Sequence, residues 1–232
     1  MRALEHHPEG CSVAEVADAV DLPRSSVHRV LKALEEEHLV AAVSDERGFR
    51  LGPALMRLAS SANSWIVEAV HPSLVELSRL IDETVDLAVL SGCEVYFIDQ
   101  VLSEHRLQAV SETGLSFPAF TTANGKALLA EFDDDRVRAL VADSPTPLEG
   151  DIAPLLEELA VVRETGVAFD REEHHAGISA VGTALPNPYG ISVALSVPAP
   201  AGRFNERETE IVEQLLKSRD HIAEQFQTSA QS

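Results

Sequence analysis

The fold is decided by residues 12–52, which run SVAEVADAVDLPRSSVHRVLKALEEEHLVAAVSDERGFRLG. Ser12 and Glu15 have the spacing of a capping box, in which two side chains bond the free N–H groups at a helix start. The apolar residues that follow recur at the i, i+3, i+4 and i+7 positions of an amphipathic helix, and this pattern returns after Pro23. We therefore predict two short helices, separated by a break and packed at a steep angle.

The rest of this stretch predicts a small β-hairpin. Residues 40–43 and 49–51 are short β-rich runs on either side of a polar segment that ends in Gly48. Gly52 and Pro53 then mark the end of the module. Two helices followed by a hairpin wing are typical of a winged helix-turn-helix, which binds DNA through its second helix.

A helical wheel of the second helix separates an apolar side from a polar side. The apolar side is formed by Val27, Val30, Leu31 and Leu34. The opposite side carries no carboxylate before Glu35, and Arg24 at the helix start and Arg47 in the hairpin extend its basic surface. Cations, hydroxyls and imidazoles are the groups that contact phosphates and base edges in a major groove. We predict that double-stranded DNA is bound by Arg24, Ser25, Ser26, His28, Arg29, Lys32 and Arg47.

The overall charge of the chain points the other way, since its 232 residues carry a net charge of −20. Residues 1–60 hold 7 Lys and Arg against 10 Asp and Glu, whereas the remaining residues hold 11 against 28. Salt screens charge over about 10 Å, so a near-neutral amino-terminal module can still present cations to DNA. No apolar run approaches the roughly 20 residues of a membrane span and no signal peptide is evident, so we expect a cytoplasmic chain with no membrane partner.

Beyond residue 53 the sequence predicts a long helix and then a mixed domain. A near-heptad apolar stripe predicts a linker helix that closes at His71 and Pro72, before a further helix near Leu74. We predict strands at 85–90, 95–101, 107–110, 167–170, 178–185 and 191–197, and helices at 125–131, 135–141, 152–164 and 206–226. This order indicates an α+β fold with a mostly antiparallel sheet flanked by helices. The predicted domains are the winged helix-turn-helix at 1–52, the linker helix at 53–71 and the mixed domain at 72–232.

Several segments resemble the IclR family of transcriptional regulators. They are residues 23–31, 48–53, 122–130, 166–173 and 177–185, and their order and spacing make the resemblance specific across nearly the whole chain. The resemblance implies a linker helix that joins the DNA-binding domain to a GAF-like domain with a small-molecule effector. It also implies a homodimer or a dimer of dimers on a palindromic operator. A helix that precedes residue 12 in the family is short here, so the natural start could lie upstream.

The resemblance also implies where the effector binds. Carried over by position, the pocket residues become Phe120, Asn124, Gly125, Asp170, Ala180, Ser196 and Pro198. Family members that bind small oxoacids often have Cys, Ser and His where this chain has Ala180, Pro198 and Phe120. Because three polar groups are replaced by apolar ones, we expect an effector larger or more apolar than a two-carbon oxoacid, such as an aromatic or aliphatic acid.

Two other functions stay open on the sequence alone, a hydrolase and a ligand-sensing scaffold that does not bind DNA. Residues 177–181 depart from the nucleophile motif G-x-S-x-G at Val181, and Ser179 lies in a predicted strand. Residues 172–175 lack the spacing of a helical metal motif, so we expect a solvated loop there. We therefore predict a protein that is not an enzyme, with no catalytic residue, metal or cofactor, while the acidic charge keeps the scaffold open.

Overall fold

The computed structural model describes residues 2–5, 7, 9–43, 48–111, 115–186 and 190–229. Contacts within the chain divide it into two compact units, Met1–Trp65 and Ile66–Ser232. The division falls inside a 28-residue helix, Ala54–Ile81. The domain boundaries proposed from the sequence, after residues 52 and 71, stay a prediction.

The first unit has the elements of the predicted winged helix-turn-helix. They are α1 (Arg2–Glu5), α2 (Val13–Val20), α3 (Arg24–Glu36), β1 (Val40–Val43) and β2 (Gly48–Leu51). The capping box is confirmed, because the Ser12 N–H donates to the Glu15 carboxylate at 2.8 Å and the Glu15 N–H donates to Ser12 Oγ at 3.2 Å. Asp21 adopts a left-handed conformation, with φ 49°, and so ends α2 before α3 begins.

The wing is tied to the segment that precedes α2. Strands β1 and β2 are antiparallel, with Val40 opposite Leu51. Cys11 pairs with Phe49, and their two N–H···O bonds measure 2.8 and 2.9 Å. Gly48 permits this approach because its φ is +91° and a Cβ there would lie 2.1 Å from the Cys11 carbonyl oxygen. The hydrophobic core of this unit is formed by Leu4, Cys11, Val16, Ala17, Val27, Leu31, Val40 and Phe49.

Helix α4 (Ala54–Ile81) continues through Pro72, so the prediction that it closes at His71 and Pro72 was wrong. A proline inside a helix removes one hydrogen bond and costs about 3 kcal/mol or more. A stripe of fully buried apolar side chains continues past the proline and outweighs that cost. Its members are Ile66, Val70, Leu74, Leu77 and Ile81.

The second unit has the α+β architecture predicted from the sequence. After α4 it contains β3 (Val85–Ser91), β4 (Glu94–Val101), β5 (Ser116–Pro118), α5 (Ala123–Leu129), α6 (Asp134–Ala142), α7 (Ala153–Thr165), β6 (Ala168–Arg171), β7 (Ile178–Ala184), β8 (Val193–Pro200) and α8 (Ala201–Ser229). Six strands form one sheet in the order β5-β4-β3-β8-β7-β6. Every neighbouring pair among them is antiparallel.

The strand predicted at 107–110 was wrong, and the edge of the sheet is instead β5, whose Pro118 lies opposite Glu94. The apolar residues that produced the prediction do not share a buried face: Leu107 and Val110 are exposed, and only Ala109 is buried. Local β propensity was therefore overridden by the tertiary context of the segment.

Two glycines let α5 lie directly against the sheet. A Cβ at Gly182 on β7 would lie 2.6 Å from the Ala123 carbonyl carbon and 2.7 Å from the Asn124 nitrogen. Within α5 itself, a Cβ at Gly125 would lie 2.2 Å from the Ala119 carbonyl oxygen. Backbone thus meets backbone at two points near the helix start, which fixes the position of α5.

We expect Gly182→Ala to lower the free energy of unfolding by about 1–3 kcal/mol, the usual effect of overpacking a tight contact. Gly202→Ala is the matched control, because Gly202 lies in α8 and a Cβ there meets no atom of the described residues within 4 Å. Chemical denaturation of both variants measures the difference. Equal stabilities would contradict the close packing of α5 on β7.

Candidate functional sites: a basic helix face and a cavity on the sheet

The polar side of α3 is open to solvent. Arg24, Ser25, His28, Arg29 and Lys32 are exposed, and Ser26 is partly exposed. The first turn of α3 contains no acidic residue, so the partial positive charge at the helix start is not neutralised there. Arg47 lies outside the described residues. Contact of these residues with DNA stays a prediction.

Two features of this face differ from the sequence analysis. Val30, placed in the apolar stripe, is 52% exposed. It is offset from Val27 by about 60° on the wheel, at the edge of the stripe, because successive residues are about 100° apart. Lys32 is already paired, since its Nζ lies 2.7 Å from Glu35 Oε2. The Lys32 hydrogen bond lowers the pKa of the Glu35 carboxyl.

The second unit contains a cavity of about 410 Å³ on one face of the sheet. Its wall is formed by the start of α5, the loop 108–111, the residues beside β5 and the turn after β6. The lining residues are Asp86, Phe97, Gln108, Ala109, Val110, Ser111, Leu115, Phe117, Thr122, Ala123, Asn124, Asp170, His174, His175, Ile178, Ala180, Ser196 and Pro198.

Strand register explains why residues distant in sequence meet at this cavity. Asp170, Ala180 and Pro198 lie opposite one another in a row across β6, β7 and β8. The row two residues away runs through Ser196 on β8 and Asp86 on β3. Side chains two residues apart on a strand point to the same face of the sheet. The floor of the cavity therefore has the Asp170 carboxyl near β6 and the Asp86 carboxyl near β3.

The cavity brings together most of the positions named from the family resemblance. Asn124, Asp170, Ala180, Ser196 and Pro198 all line it. Phe120 lies in the adjoining hydrophobic core, and Gly125 packs its backbone against Ala119. Whether these residues bind an effector stays a prediction.

Several polar groups of the cavity were not predicted from the sequence, and Asp86 is the most deeply buried of them. The Asp86 carboxylate accepts hydrogen bonds from Gln100 Nε2 and Ser111 Oγ, each at 2.7 Å. Burial nonetheless raises the pKa of Asp86 to about 7, since the two donors offset only part of the cost of desolvation. A single acid inside the apolar run of β3 could have indicated a buried carboxyl, but the strand pairing that places it at the cavity is not visible in sequence.

The turn after β6 positions the other carboxyl. Asp170 Oδ1 accepts the N–H groups of Glu173 at 2.8 Å and His174 at 3.3 Å. Burial raises the pKa of Asp170 despite these bonds. Desolvation lowers the pKa of His174, whose ring packs edge-on against Phe117 with centroids 4.5 Å apart.

A buried lysine fixes this turn to two helices. Lys126 on α5 is fully buried, and its Nζ lies 2.6 Å from Glu158 Oε1 on α7 and 2.8 Å from Glu173 Oε2 in the turn. The solvated loop expected at 172–175 is confirmed, since these residues form exposed bends, and Glu173 and His174 also make specific contacts within the unit. The ammonium needs both carboxylates because an unpaired buried charge is strongly unfavourable.

The described residues give no geometric support for a hydrolase site at Ser179 or for a metal site. Ser179 lies buried inside β7, opposite Ala199, and not at a strand-to-helix turn. Across the described ranges, no group of three or more His, Cys, Asp and Glu side chains is arranged to hold a metal ion. Within the same ranges, no helix is long and apolar enough to cross a membrane.

Comparison with known proteins gives matches over both units. Residues 1–44 match the family described as IclR helix-turn-helix domain, and residues 59–224 match the family described as Bacterial transcriptional regulator IclR C-terminal. The HTH-type transcriptional regulator Rv1719 of Mycobacterium tuberculosis is 45% identical over 220 residues, which cover 93% of this chain and 85% of that protein. The HTH-type transcriptional regulator TtgV of Pseudomonas putida is 39% identical, with 96% of this chain and 86% of that protein covered.

Solved structures show the same architecture. The Thermotoga maritima IclR matches with a TM-score of 0.65 and 26% identity, covering 97% of this chain and 94% of that one. The Agrobacterium tumefaciens repressor BlcR matches with a TM-score of 0.62 and 28% identity, covering 96% and 92%. The predicted combination of a helix-turn-helix with a mixed carboxy-terminal domain is thereby confirmed.

The raised pKa of Asp86 predicts a pH-dependent stability. The folded chain keeps this proton up to about pH 7, whereas an unfolded Asp releases it near pH 4. The stabilisation is thus complete below about pH 4 and is lost as the pH rises through 7. We expect Asp86→Asn to gain free energy of unfolding relative to the wild type between pH 4.5 and 7.5, measured by urea denaturation. Parallel curves would contradict this, and Asp143→Asn, at an exposed carboxylate after α6, is the control.

We expect Lys126→Met to lower the free energy of unfolding by about 3 kcal/mol, the low end of the range for breaking a buried pair. The low end applies because the side chains of Glu158 and Glu173 are already 37% and 43% exposed, so water can hydrate both carboxylates when the lysine is removed. Lys217→Met, which breaks an exposed pair with Glu213, should change stability little. Thermal and urea unfolding compare the two variants, and equal effects would refute the role assigned to Lys126.

Proposed function

The chain belongs to the IclR family of DNA-binding transcriptional regulators, and on this premise we propose that a small molecule in the cavity controls its binding to operator DNA. The observation that carries the proposal is the cavity itself, with its buried polar groups on an apolar floor. Its volume of about 410 Å³ lies within the usual range for small-molecule sites. We further propose that the chain has no catalytic activity, in keeping with the family and its relatives.

The DNA-binding surface in this proposal is the polar side of α3. Arg29 and Lys32 supply positive charge, Ser25 and Ser26 supply hydroxyls, and the exposed Val30 supplies a methyl surface suited to thymine. One short helix makes too few contacts for operator-level specificity, so two copies must read two half-sites. A homodimer, or a dimer of dimers, on a palindromic operator meets this requirement.

Control by an effector requires that the ligand binds the free and the DNA-bound chain with different affinities. If a ligand weakens operator binding by a given factor, the operator weakens ligand binding by the same factor. Both quantities are measurable on the purified chain once a duplex has been selected from a random library. The aromatic or aliphatic acid expected from the sequence is one candidate class for that ligand.

We expect Arg29→Ala to weaken binding to the selected duplex by about 1–3 kcal/mol, the usual contribution of a base or charged contact. Fluorescence anisotropy at constant salt measures the change. Arg138→Ala, at an exposed arginine of α6 in the other unit, is the matched control. Unchanged affinity for Arg29→Ala would place this residue off the interface.

The salt dependence of Lys32→Ala provides a second comparison on the same helix. A phosphate contact releases counterions, so its loss flattens the dependence of affinity on salt. Lys32 must share its ammonium with Glu35, which limits the change to a fraction of one contact.

A gel shift of the wild type on random duplex at low salt tests the scaffold alternative, because a chain that binds no DNA under these conditions is not a DNA-binding regulator.

A further inference from the structure

A buried carboxyl, which can accept hydrogen bonds, lies near each of two opposite sides of the cavity floor. Asp86 lies on β3 and Asp170 on β6, with β8 and β7 between them. Three strand spacings of about 4.8 Å and an offset of two residues along the strands, about 7 Å, place the two residues roughly 16 Å from each other. Ala180 and Pro198 form the apolar floor between them, so a ligand on this floor meets a carboxyl in either direction.

When ionised, both carboxyls keep the capacity to accept a further hydrogen bond. Each oxygen of Asp86 accepts one donor, from Gln100 or Ser111, and a carboxylate oxygen has two lone pairs. Asp170 uses Oδ1 for the two N–H groups of the turn. Hydrogen bonds inside the protein therefore position these carboxyls without using up their acceptor sites.

Among the described residues, two buried amide atoms at the cavity have no hydrogen-bond partner. One is Gln108 Oε1, an acceptor, and the other is Asn124 Nδ2, a donor on a side chain that is 1% exposed. The orientation of the Asn124 amide is set by its Oδ1, which accepts the Gly125 N–H at 2.9 Å. Because a buried polar atom without a partner is costly, these atoms indicate the place of a ligand.

Positive charge is missing from the same surface. The described residues that line the cavity include neither lysine nor arginine, and residues 112–114, 187–189 and 230–232 of this unit contain none in sequence. Lys126 is committed to Glu158 and Glu173. The Gly125 N–H, which could otherwise meet an anion, is bonded to Thr122 Oγ1 and Asn124 Oδ1.

His174 in the wall does not replace the missing cation, because desolvation lowers the pKa of its ring and so disfavours the charged form. The Nδ1 atom of His175 lies 2.8 Å from the Ala176 carbonyl oxygen, which occupies one of its two ring nitrogens. A carboxylate ligand would thus meet two buried carboxyls, and the buried unpartnered donor among the described lining residues is Asn124 Nδ2.

We propose that the cavity selects ligands in which an apolar body carries a hydrogen-bond donor, an amine or a hydroxyl, and that it discriminates against carboxylates. This inference rests on the proposed function for its regulatory meaning. It replaces the acid expected from the sequence, which was argued from Phe120, Ala180 and Pro198 without knowledge of Asp86. The selecting groups are Asp86, Asp170 and the Gln108 carbonyl.

A matched ligand series tests the selection directly. Benzylammonium, benzyl alcohol and benzoate share one ring and a single substituent carbon, and ligand-observed NMR titration of the full chain at pH 7.5 measures millimolar affinities. We expect both donors to bind at least tenfold more tightly than benzoate. The proposal is overturned if benzoate binds as tightly as either donor, or if none of the three binds.

Neutral variants of the two acids identify the selecting groups. In Asp86→Asn/Asp170→Asn we expect the preference for benzylammonium over benzoate to fall at least fivefold, whereas Asp143→Asn retains it. If the double variant melts early, Asp170→Asn alone is used, because the asparagine oxygen can still accept the N–H groups of Glu173 and His174. An unchanged preference in a folded variant overturns the assignment.

Operator binding separates this inference from the proposed function. If benzylammonium or benzyl alcohol binds but does not change affinity for the selected duplex, the selection stands and the regulatory role fails for this ligand class. If benzoate binds best and changes operator affinity, the regulatory role stands and the inference fails.

Discussion

The geometry of the cavity depends on one buried ammonium. Lys126 projects from α5 and joins Glu158 on α7 to Glu173 in the turn after β6. The backbone of Glu173 in turn donates to Asp170, so the position of a cavity carboxyl follows from an ion pair outside the lining. Because a lysine without its partners would be intolerable at full burial, α5, α7 and the turn must assemble together. The shape of the cavity therefore depends on the charge of Lys126, which does not line it.

Close backbone contact also constrains the position of α5. Gly182 and Gly125 allow α5 to lie against β7 and the Ala119 backbone without an intervening side chain. The start of the helix consequently reaches the sheet face that carries Ser196 and Asp86. A side chain at either glycine would lift Asn124 away from that face, so small size at these positions is a requirement of the site.

Local patterns in the sequence predicted the first unit well and the second unit partly. The Ser12–Glu15 capping box and the wing are contacts over short sequence distances, which residue spacing can reveal. Asp86 became a cavity residue through pairing with β8, more than 100 residues away, and no local pattern contains that information. The same limit explains Pro72, where a general rule against internal proline was outweighed by a buried stripe that only tertiary packing defines.

The unpartnered amides bear on how strongly a small ligand can act. A hundredfold change in operator affinity requires a coupling free energy of about 2.7 kcal/mol. Satisfying a buried unpaired polar atom recovers about 1–3 kcal/mol, and the cavity has two such atoms, on Gln108 and Asn124. A ligand that bonds both atoms in one state and neither in the other would reach the required coupling without filling the cavity. Regulation of this size is thus within the reach of a molecule with few polar groups, provided that those groups match the carboxyl acceptors and the Asn124 amide donor.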